Sequence, residues 1–339
     1  MDVLEHLARL TQDLGFVAWG SVPAGPTPHH ERYLAWLAQG FGADMGYLAR
    51  PDTRQKRADP RHLWPAARSL LVVAASYLRA APPPLPPLHG RLARYAWGED
   101  YHRWMGRRLE ALLEQFRAAS GPFQARWYVD TGPLSERAWA VAAGLGWIGK
   151  NSTLIHPRHG SFTVLGVALL DIALPATAPF NGADCGTCTR CLEACPTHAI
   201  VAPGVVDARR CLSYLTIENR GPIPEALRPA LGEQLLGCDI CQQVCPWNQP
   251  ALRAIADVPA PAEATLDLIE ALTMDEATFR ARFRTSAVWR ARREGLARNA
   301  AILLGLSGNA NARPALLTAR DHDPSPLVRE HAAWALAQL

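Results

Sequence analysis

The sequence predicts three consecutive units: a mixed α/β (α+β) domain over residues 1–178, a small cysteine-rich domain over 179–250 and an all-α domain over 251–339. Three observations support this division. The chain has 339 residues, more than one compact core usually holds. All eight cysteines lie in the middle unit, and the last unit contains a weak internal repeat with a helical pattern.

The first unit mixes the periodicities of helices and strands. Apolar residues recur at helical spacing near the N-terminus and again after residue 100, whereas two continuous apolar runs are typical of buried strands. The stretch 82–87 predicts a loop, because its prolines lack the donor that a helix or a central strand needs. The predicted helices are 3–14, 105–116 and 136–143, and the predicted strands are 69–76, 126–130 and 161–171.

The cysteines of the second unit fall into two runs. The first, over 185–196, has the spacing C-x2-C-x2-C-x3-C-P of bacterial ferredoxins. The second, over 238–246, repeats this pattern with its first member displaced to Cys211. Zinc sites usually pair C-x2-C units and do not require two triplets that each end in Cys-Pro, so a zinc site is the weaker interpretation.

This spacing predicts two [4Fe–4S] clusters in a ferredoxin-like domain. Three cysteines at two-residue gaps wrap one cluster, and the fourth is carried by its turn to the other cluster. By pseudo-symmetry the ligands of the first cluster are Cys185, Cys188, Cys191 and Cys245, and those of the second are Cys195, Cys211, Cys238 and Cys241. The unit is poor in apolar residues, so metal is expected to supply much of its stability.

The third unit predicts stacked helical hairpins. Residues 299–305 align with 331–337, a period of 32, and Pro314 and Pro326 lie near predicted helix starts. This pattern favours a HEAT-like repeat, preceded by a Pro/Ala-rich connector over 250–261.

The charge of the chain is only mildly basic, at +4, but it is concentrated in the third unit. Seven arginines between 280 and 298 stand against one acid, Glu294. Such a cluster suits a nucleic acid, although a solvated helix face has the same composition. The arginines are Arg280, Arg282, Arg284, Arg290, Arg292, Arg293 and Arg298.

The ends and the hydropathy of the chain predict a cytoplasmic protein without a membrane partner. No apolar run reaches the length that spans a bilayer, and the first residues lack the basic patch and apolar stretch of a secretory signal. A reducing compartment also argues against reading the cysteines as four disulfides.

Three further motifs surround the cysteine runs in a specific order: 94–102 (RYAWGEDYH), 129–137 (VDTGPLSER) and 144–151 (GLGWIGKN). With the cysteine runs, the segment 210–216 and the helical tail, they resemble the epoxyqueuosine reductase family over essentially the whole chain. The resemblance implies a cobalamin-dependent iron–sulfur enzyme, related to corrinoid reductive dehalogenases, that removes the epoxide oxygen of epoxyqueuosine at the wobble position of tRNA. Electrons would pass through both clusters to cobalamin bound against the first unit.

The resemblance implies that Asp130 is the proton donor and also contacts cobalamin. Asp130 ends the apolar run 127–129, where partial burial is expected to raise its pKa toward working pH. The alternative is an Asx-turn, in which an Asp before Thr-Gly-Pro bonds its own backbone.

Five further residues fall on positions whose side chains, in this family, contact cobalamin or lie between a cluster and the corrin. Arg57 suits propionamide oxygens or the phosphate of the nucleotide tail, although it could equally be a surface arginine. The others could equally be loop residues that satisfy their own backbone: Asn151, Ser152, Ser213 and Tyr214. Because the family is thought to bind cobalamin base-off, His102 and His156 are not expected to ligate cobalt; Trp97, Tyr101 and His102 are expected in the pocket wall or the core.

The implied partners are the anticodon stem-loop of a tRNA that carries epoxyqueuosine and an electron donor of unknown identity, with the enzyme a monomer. Two other functions stay open. A corrinoid reductase of a small substrate, such as an organohalide, would share both cofactors, but it explains neither the missing export signal nor the basic tail. A ferredoxin-type electron carrier would leave most of the chain without a role.

Overall fold

A computed structural model describes residues 2–182, 184–255 and 261–339. The predicted connector 250–261 lies partly outside the described residues, at 256–260. The first part of the chain contains the helices α1 (Val3–Asp13), α2 (His30–Ala38), α3 (Gly46–Ala49), α4 (Pro51–Ala58), α5 (Tyr101–Ser120) and α6 (Glu136–Ala142). Its strands are β1 (Ala18–Pro23), β2 (Ser69–Ser76), β3 (His89–Leu92), β4 (Ala125–Tyr128), β5 (Trp147–Ile148), β6 (Leu154–Ile155) and β7 (Thr163–Leu170).

A four-stranded antiparallel sheet of order β1-β2-β7-β4 forms the centre of this part. Alternate residues of β2 point to opposite faces, as the two-residue period of a strand requires. Leu71 and Val73 pack with α1 and α5, whereas Leu70 and Val72 pack with Trp139 of α6. Because helices cover both faces, the strand is apolar throughout, and this is why the run 69–76 is visible in the sequence.

All six helices and strands predicted for this part are present: strand 69–76 has its predicted ends, and the other five are shifted at one or both ends. The predicted strand 126–130 stops at Tyr128, because Asp130 adopts a left-handed backbone with φ of +57°. The predicted helix 136–143 stops at Ala142, ahead of Gly144, whose φ is +84°.

The cysteine segment consists of short elements that lie between and directly after the cysteine loops. They are α7 (Arg190–Glu193), β8 (Ile200–Ala202), β9 (Val205–Val206), α8 (Leu212–Ile217), β10 (Gln234–Leu236), α9 (Ile240–Gln243) and α10 (Gln249–Ala254). Helices α7 and α9 hold the equivalent turns of the two cysteine runs and contact each other. The two runs therefore meet in space, although they are separated in the chain by the segment 197–237.

The last part contains β11 (Thr265–Asp267) and the helices α11 (Leu268–Thr273), α12 (Glu276–Phe283), α13 (Arg292–Leu306), α14 (Arg313–His322) and α15 (Pro326–Leu336). The repeated segments 299–305 and 331–337 lie mainly on α13 and α15, which pack together. At their contact Gly305 leaves no room for a Cβ, which would stand 2.7 Å from the Cα of Ala335. None of the helices described for this chain is long and apolar enough to cross a membrane.

A second sheet joins all three parts of the chain. Strand β3 lies between β10, which is parallel to it, and β11, which is antiparallel. The all-α prediction for the last unit missed β11, because a three-residue strand that pairs with a distant segment has no periodicity of its own. Around this sheet one continuous apolar core includes Leu92, Leu235 and Leu303, one from each part.

Two of the arginines predicted as nucleic-acid contacts lie inside this core. The guanidinium of Arg298 is fully buried and donates to the backbone carbonyls of Leu215, Asn219 and Gly221. Arg293 forms a bidentate pair with Asp323, and 9% and 6% of the two side chains are exposed. The prediction is wrong for both residues, since their charges are used to satisfy buried acceptors.

We expect Arg293→Ala to destabilise the protein by about 3–5 kcal/mol, because it leaves the buried Asp323 carboxylate without its cationic partner, with only the backbone N–H of Ser325, among the described residues, to bond it. The matched control is Arg282→Ala, which breaks an exposed pair with Glu270 and should cost about 0–1 kcal/mol. Thermal unfolding of the purified variants, followed by circular dichroism, measures the difference. Equal midpoints for the two variants would contradict the prediction.

Candidate functional site

The eight cysteines form no disulfides with one another and lie in two groups in space. In the first group, four thiols line one small cavity together with Lys150 and Trp247: Cys185, Cys188, Cys191 and Cys245. In the second group, Cys211 lies near both Cys238 and Cys241, and Cys195 lies near Cys211, close enough that their charges act on each other. Each group therefore combines cysteines from both runs.

The second group is deeply enclosed. Burial raises the pKa of Cys238 to about 12, and the neighbouring Cys211 thiol adds to the effect. Burial likewise raises the pKa of Cys241 well above its usual value. Thiolates at these positions need a compensating positive charge, which coordination to iron supplies. The donor set thus suits cysteine-ligated iron better than free thiolates.

Contacts from the first part of the chain hold both cysteine runs. The ammonium of Lys150 donates to the carbonyls of Gly186 at 2.7 Å and Cys188 at 3.0 Å. Beside Cys238, the carboxylate of Asp239 is buried and accepts from the backbone N–H of Arg94 at 2.8 Å. The cysteine loops are therefore fixed against the α/β part rather than tethered to it by the chain alone.

Asp130 lies just beyond the end of β4, on a loop. The N-terminus of α5 lies against this loop. Its carboxylate Oδ2 accepts from the hydroxyl of Tyr101 at 2.7 Å and stands 3.5 Å from Nε2 of His102. Its backbone N–H donates to Oε1 of Glu136 at 2.6 Å. Within the described part of the chain, the carboxylate is thus bonded to side chains of α5 rather than to its own turn, which argues against the Asx-turn.

The predicted rise in the pKa of Asp130 is wrong. Partial desolvation does raise it, but the nearby imidazole of His102 and the hydrogen bond from Tyr101 outweigh that effect and hold the pKa of Asp130 below its usual range. The side chain is 65% exposed. At neutral pH the carboxylate is therefore an anion in the free protein.

Protons are held by two neighbours of Asp130. Burial alone would lower the pKa of His102, but its bond to Asp100 and the nearby carboxylate of Asp130 raise that pKa to about 9. Burial, with the charge of Asp130, raises the pKa of Glu136 to about 8. At neutral pH the imidazole is a cation and the glutamate is a neutral acid. His102 and Glu136 both lie in the motifs quoted from the sequence. The sequence does not show that the start of α5 contacts the Asp130 loop, because the two are 29 residues apart in the chain.

Two of the predicted cobalamin contacts, Arg57 and Ser152, bond residues that follow Asp130, whereas a third, Asn151, lines the cavity of the first cysteine group. Arg57 donates to the carbonyl of Leu134 at 2.8 Å, and its Nε is buried without a partner among the described residues. Asn151 is buried, and its Nδ2 also has no partner among those residues. The carbonyl and hydroxyl of Ser152 accept from Arg137, which the sequence did not single out as a site residue.

Ser213 and Tyr214 lie on α8, directly after Cys211. The hydroxyl of Tyr214 is 3.1 Å from Oδ2 of Asp44, so it holds the chain between α2 and α3. Of the other residues considered, the Nδ1 atom of His156 accepts two backbone N–H groups, and Trp97 is buried and donates to the carbonyl of Leu92. Trp97 thus lies in the core, as expected.

An arginine-rich surface, called the basic surface below, lies beside α12 and α13, around a cavity of about 960 Å³ that Asp275, Glu276 and Glu294 also line. We define it by Arg220, Arg280, Arg290 and Arg292 together with Trp289. The indole of Trp289 is 38% exposed, stacks on Phe279 and lies beneath the guanidinium of Arg280.

The basic surface continues toward Asp130 through Tyr47. The guanidinium of Arg290 lies over the ring of Tyr47, which is 41% exposed, at 5.9 Å from its centroid. Burial raises the pKa of Tyr47, and the charges of Glu218 and Asp130 raise it further. Tyr47 is therefore within electrostatic reach of both the basic surface and Asp130.

Two family models match segments of the chain. The model for the 4Fe-4S double cluster binding domain matches residues 184–248, which contain both cysteine runs. The model described as epoxyqueuosine reductase QueG, DUF1730, matches residues 57–131, which begin at Arg57 and include Asp130.

Relatives match nearly the whole chain. The epoxyqueuosine reductase of Xanthomonas campestris is 42% identical and covers 99% of this chain and 96% of its own. A solved epoxyqueuosine reductase in complex with an epoxyqueuosine-modified tRNA-Tyr stem loop is 31% identical, with a TM-score of 0.89 over 99% of this chain and 90% of that one. The Bacillus subtilis enzyme, solved with its aspartate-bearing catalytic loop swung out of the active site, is 29% identical, with a TM-score of 0.87 over 99% and 90%.

Proposed function

The chain belongs to the epoxyqueuosine reductase family, and we propose that its Asp130 site reduces epoxyqueuosine to queuosine in tRNA. The observation that supports this site is the Asp130 carboxylate, which lies against Tyr101 and His102 on an exposed loop that Arg57 also bonds, at the carbonyl of Leu134. The catalytic loop of the B. subtilis relative also carries an aspartate.

The test is to incubate an epoxyqueuosine-containing stem-loop with the iron-loaded enzyme, cobalamin and a strong reductant, and to separate the nucleosides by liquid chromatography. We expect conversion of epoxyqueuosine to queuosine. Dehalogenation of halophenols with epoxyqueuosine left intact would instead support the corrinoid reductase of a small substrate. If the protein failed to bind cobalamin, the ferredoxin-type carrier would be the better interpretation.

The double-cluster domain supports two [4Fe–4S] clusters. We propose that the first is held by Cys185, Cys188, Cys191 and Cys245, and the second by Cys195, Cys211, Cys238 and Cys241. The cavity shared by the first four thiols and the mutual proximity of the others support this exchange of ligands between the runs. Electrons would enter from a donor whose identity is open.

Cobalamin is proposed as the cofactor at the Asp130 loop, where bound cobalamin supplies a strongly reduced cobalt able to open an epoxide. The unpartnered Nδ2 of Asn151 and Nε of Arg57 suit the amide and phosphate oxygens of a corrin. Ser152 and Asp130 would flank them, with Ser213 and Tyr214 on the cluster side. A corrin absorption spectrum retained after gel filtration would test binding without turnover.

In this proposal the protein supplies the proton that the epoxide oxygen takes up. Asp130 delivers a proton to the epoxide oxygen as the ring opens, so that no free alkoxide forms. Glu136 and Arg57 hold the two ends of the loop through the backbone N–H of Asp130 and the carbonyl of Leu134. The loop is thereby oriented before substrate arrives, which reduces the entropy cost of reaching the reactive geometry.

We propose that the division into 1–178, 179–250 and 251–339 corresponds to cobalamin-binding, cluster-binding and tRNA-contacting regions of a monomer. The packing of α13 on α15 supports a HEAT-like arrangement for the last region. The anticodon stem-loop would lie across the basic surface, with its modified base directed past Tyr47 to Asp130. The relative that binds a modified stem loop supports tRNA as the partner.

Replacing Arg280, Arg290 and Arg292 together with glutamine should weaken stem-loop binding and flatten its salt dependence. Each lost phosphate contact to a single strand removes about 0.7 from the slope of log K against log salt, so three contacts remove about 2. A fluorescence titration at several salt concentrations measures the slope.

The control variant replaces three exposed arginines outside the basic surface with glutamine: Arg9, Arg68 and Arg313. It should leave the slope of log K against log salt unchanged. An unchanged slope in the first triple variant would place the tRNA on another surface. Both variants remove the same net charge, so a difference between them reports position and not overall charge.

A further inference from the structure

The Asp130 site contains a histidine that is built to hold a proton. His102 is the second residue of α5, and its Nδ1 bonds Oδ1 of Asp100, the N-cap residue of that helix, at 2.6 Å. Its ring stacks on Tyr101, with centroids 4.1 Å apart. Its other nitrogen, Nε2, is buried, has no hydrogen bond of normal length among the described residues and stands 3.5 Å from Oδ2 of Asp130.

We infer that His102 is a positioning residue that stores the proton delivered by Asp130, with Asp100 bracing its ring. The Nε2–H bond of His102 breaks and its proton passes to Oδ2 of Asp130; as the epoxide C–O bond breaks, the Asp130 carboxyl formed in this way gives that proton to the oxygen and becomes a carboxylate again. His102 is left neutral and regains a proton from solvent. The inference rests on the proposed function, since it needs an oxygen that takes up a proton at Asp130.

The exposure of Asp130 explains why a neighbouring group must hold the proton. The carboxylate of Asp130 is exposed and deprotonated, so on its own it has no proton to give at neutral pH. The cationic form of His102 is favoured by two carboxylates, one on each ring nitrogen. A short shift of the Asp130 side chain would shorten the 3.5 Å separation to a normal hydrogen bond.

Other titratable groups lie near Asp130 and His102, but the two closest to Asp130 are not placed to supply its proton. Glu136 contacts the backbone N–H of Asp130, not its carboxylate, so a proton on Glu136 has no direct contact with Oδ2. Tyr101 donates to Oδ2, but burial raises its pKa so far that it remains a neutral donor and does not give up its proton. The remaining charged or titratable neighbours are Arg57, Arg137, Tyr47, Tyr95, Arg103 and Glu218.

The experiment compares single-turnover rates of the cofactor-loaded enzyme and of His102→Gln on the epoxyqueuosine stem-loop as a function of pH. For the native protein the rate should hold through neutral pH and fall as pH rises through about 9, where the imidazole loses its proton. In His102→Gln we expect a rate about 10²-fold lower at neutral pH that falls steadily with rising pH, because Asp130 must now take its proton from solvent. His62→Gln, at an exposed site, should keep the native profile.

A second measurement is independent of turnover. NMR of the iron-loaded protein with ¹³C-labelled histidine rings should show one resonance that titrates near 9 and disappears in His102→Gln. In Asp130→Asn the pKa of that resonance should fall, because one of its two carboxylates has become neutral.

The two measurements separate this inference from the proposed function. A uniform loss of rate without a change in the pH profile, or a His102 resonance that titrates at the ordinary histidine value, would overturn the inference and leave the reaction itself intact. If the native enzyme converts no epoxyqueuosine, the proposed function fails, while the NMR titration still decides whether His102 holds a proton.

Discussion

Asp130→Ala is expected to keep both clusters and to lose ~10²–10⁴-fold in the rate of epoxyqueuosine reduction, the usual contribution of general-acid catalysis. The substitution removes the group that faces the epoxide and the carboxylate that lies 3.5 Å from Nε2 of His102. Single-turnover conversion of the modified stem-loop measures the loss. Iron content and stem-loop affinity should stay near the native values, because Asp130 lies on an exposed loop.

Asp130→Asn is the matched control for this loss. It keeps the size of the side chain and an acceptor oxygen for Tyr101, yet it cannot carry the proton. We therefore expect it to be nearly as slow as Asp130→Ala. A near-native rate in either variant would mean that the proton comes from water or from another side chain, with Glu136 the nearest neutral acid.

The second large prediction follows from the proposed assignment of cysteines to the two clusters, and it concerns variants that lack two cysteines. Native protein should bind about eight irons per chain, and loss of one cluster should leave about four. If Cys185 and Cys245 ligate the same cluster, the variant lacking both should still bind about four irons. If Cys185 and Cys195 ligate different clusters, the variant lacking both should bind almost none.

Anaerobic reconstitution followed by iron analysis and electron paramagnetic resonance distinguishes these pairs. Turnover should be lost in both double variants, since an interrupted chain of clusters delivers no electrons. The reverse result, with iron retained in Cys185/Cys195 and lost in Cys185/Cys245, would show that each run holds its own cluster. The comparison is sharp because both variants remove two cysteines from the same segment.

Much of the fold was predictable because its signals are local. Strands β2 and β7 are apolar along their whole length since both faces of the sheet are covered, and α5 shows an unbroken helical period. The cysteine runs were predictable for a similar reason, because their spacing is set by the cluster that a single loop wraps. In contrast, β3, β10 and β11 are too short to show a pattern, and each pairs with a distant segment.

The site was predictable in its residues but not in its electrostatics. Asp130 was singled out, yet its pKa is lowered and not raised, because α5 brings Tyr101 and His102 onto it. The arginine run 280–298 showed where charge accumulates, but not that Arg293 and Arg298 face inward to bond Asp323 and backbone carbonyls. Helix α13 is buried almost all round, so its period could not indicate an exposed face.

The sequence by itself determined the redox class of this protein, since cysteine spacing within one loop is a covalent constraint that survives in any fold. It also determined the principal sheet strands and the loop that carries Asp130. Only the tertiary structure decided how the two cysteine runs are held against the α/β part, which arginines remain on the surface and where the protons near Asp130 are held. Those properties depend on distances between segments far apart in the chain, and electrostatic and hydrogen-bond energies change steeply with such distances.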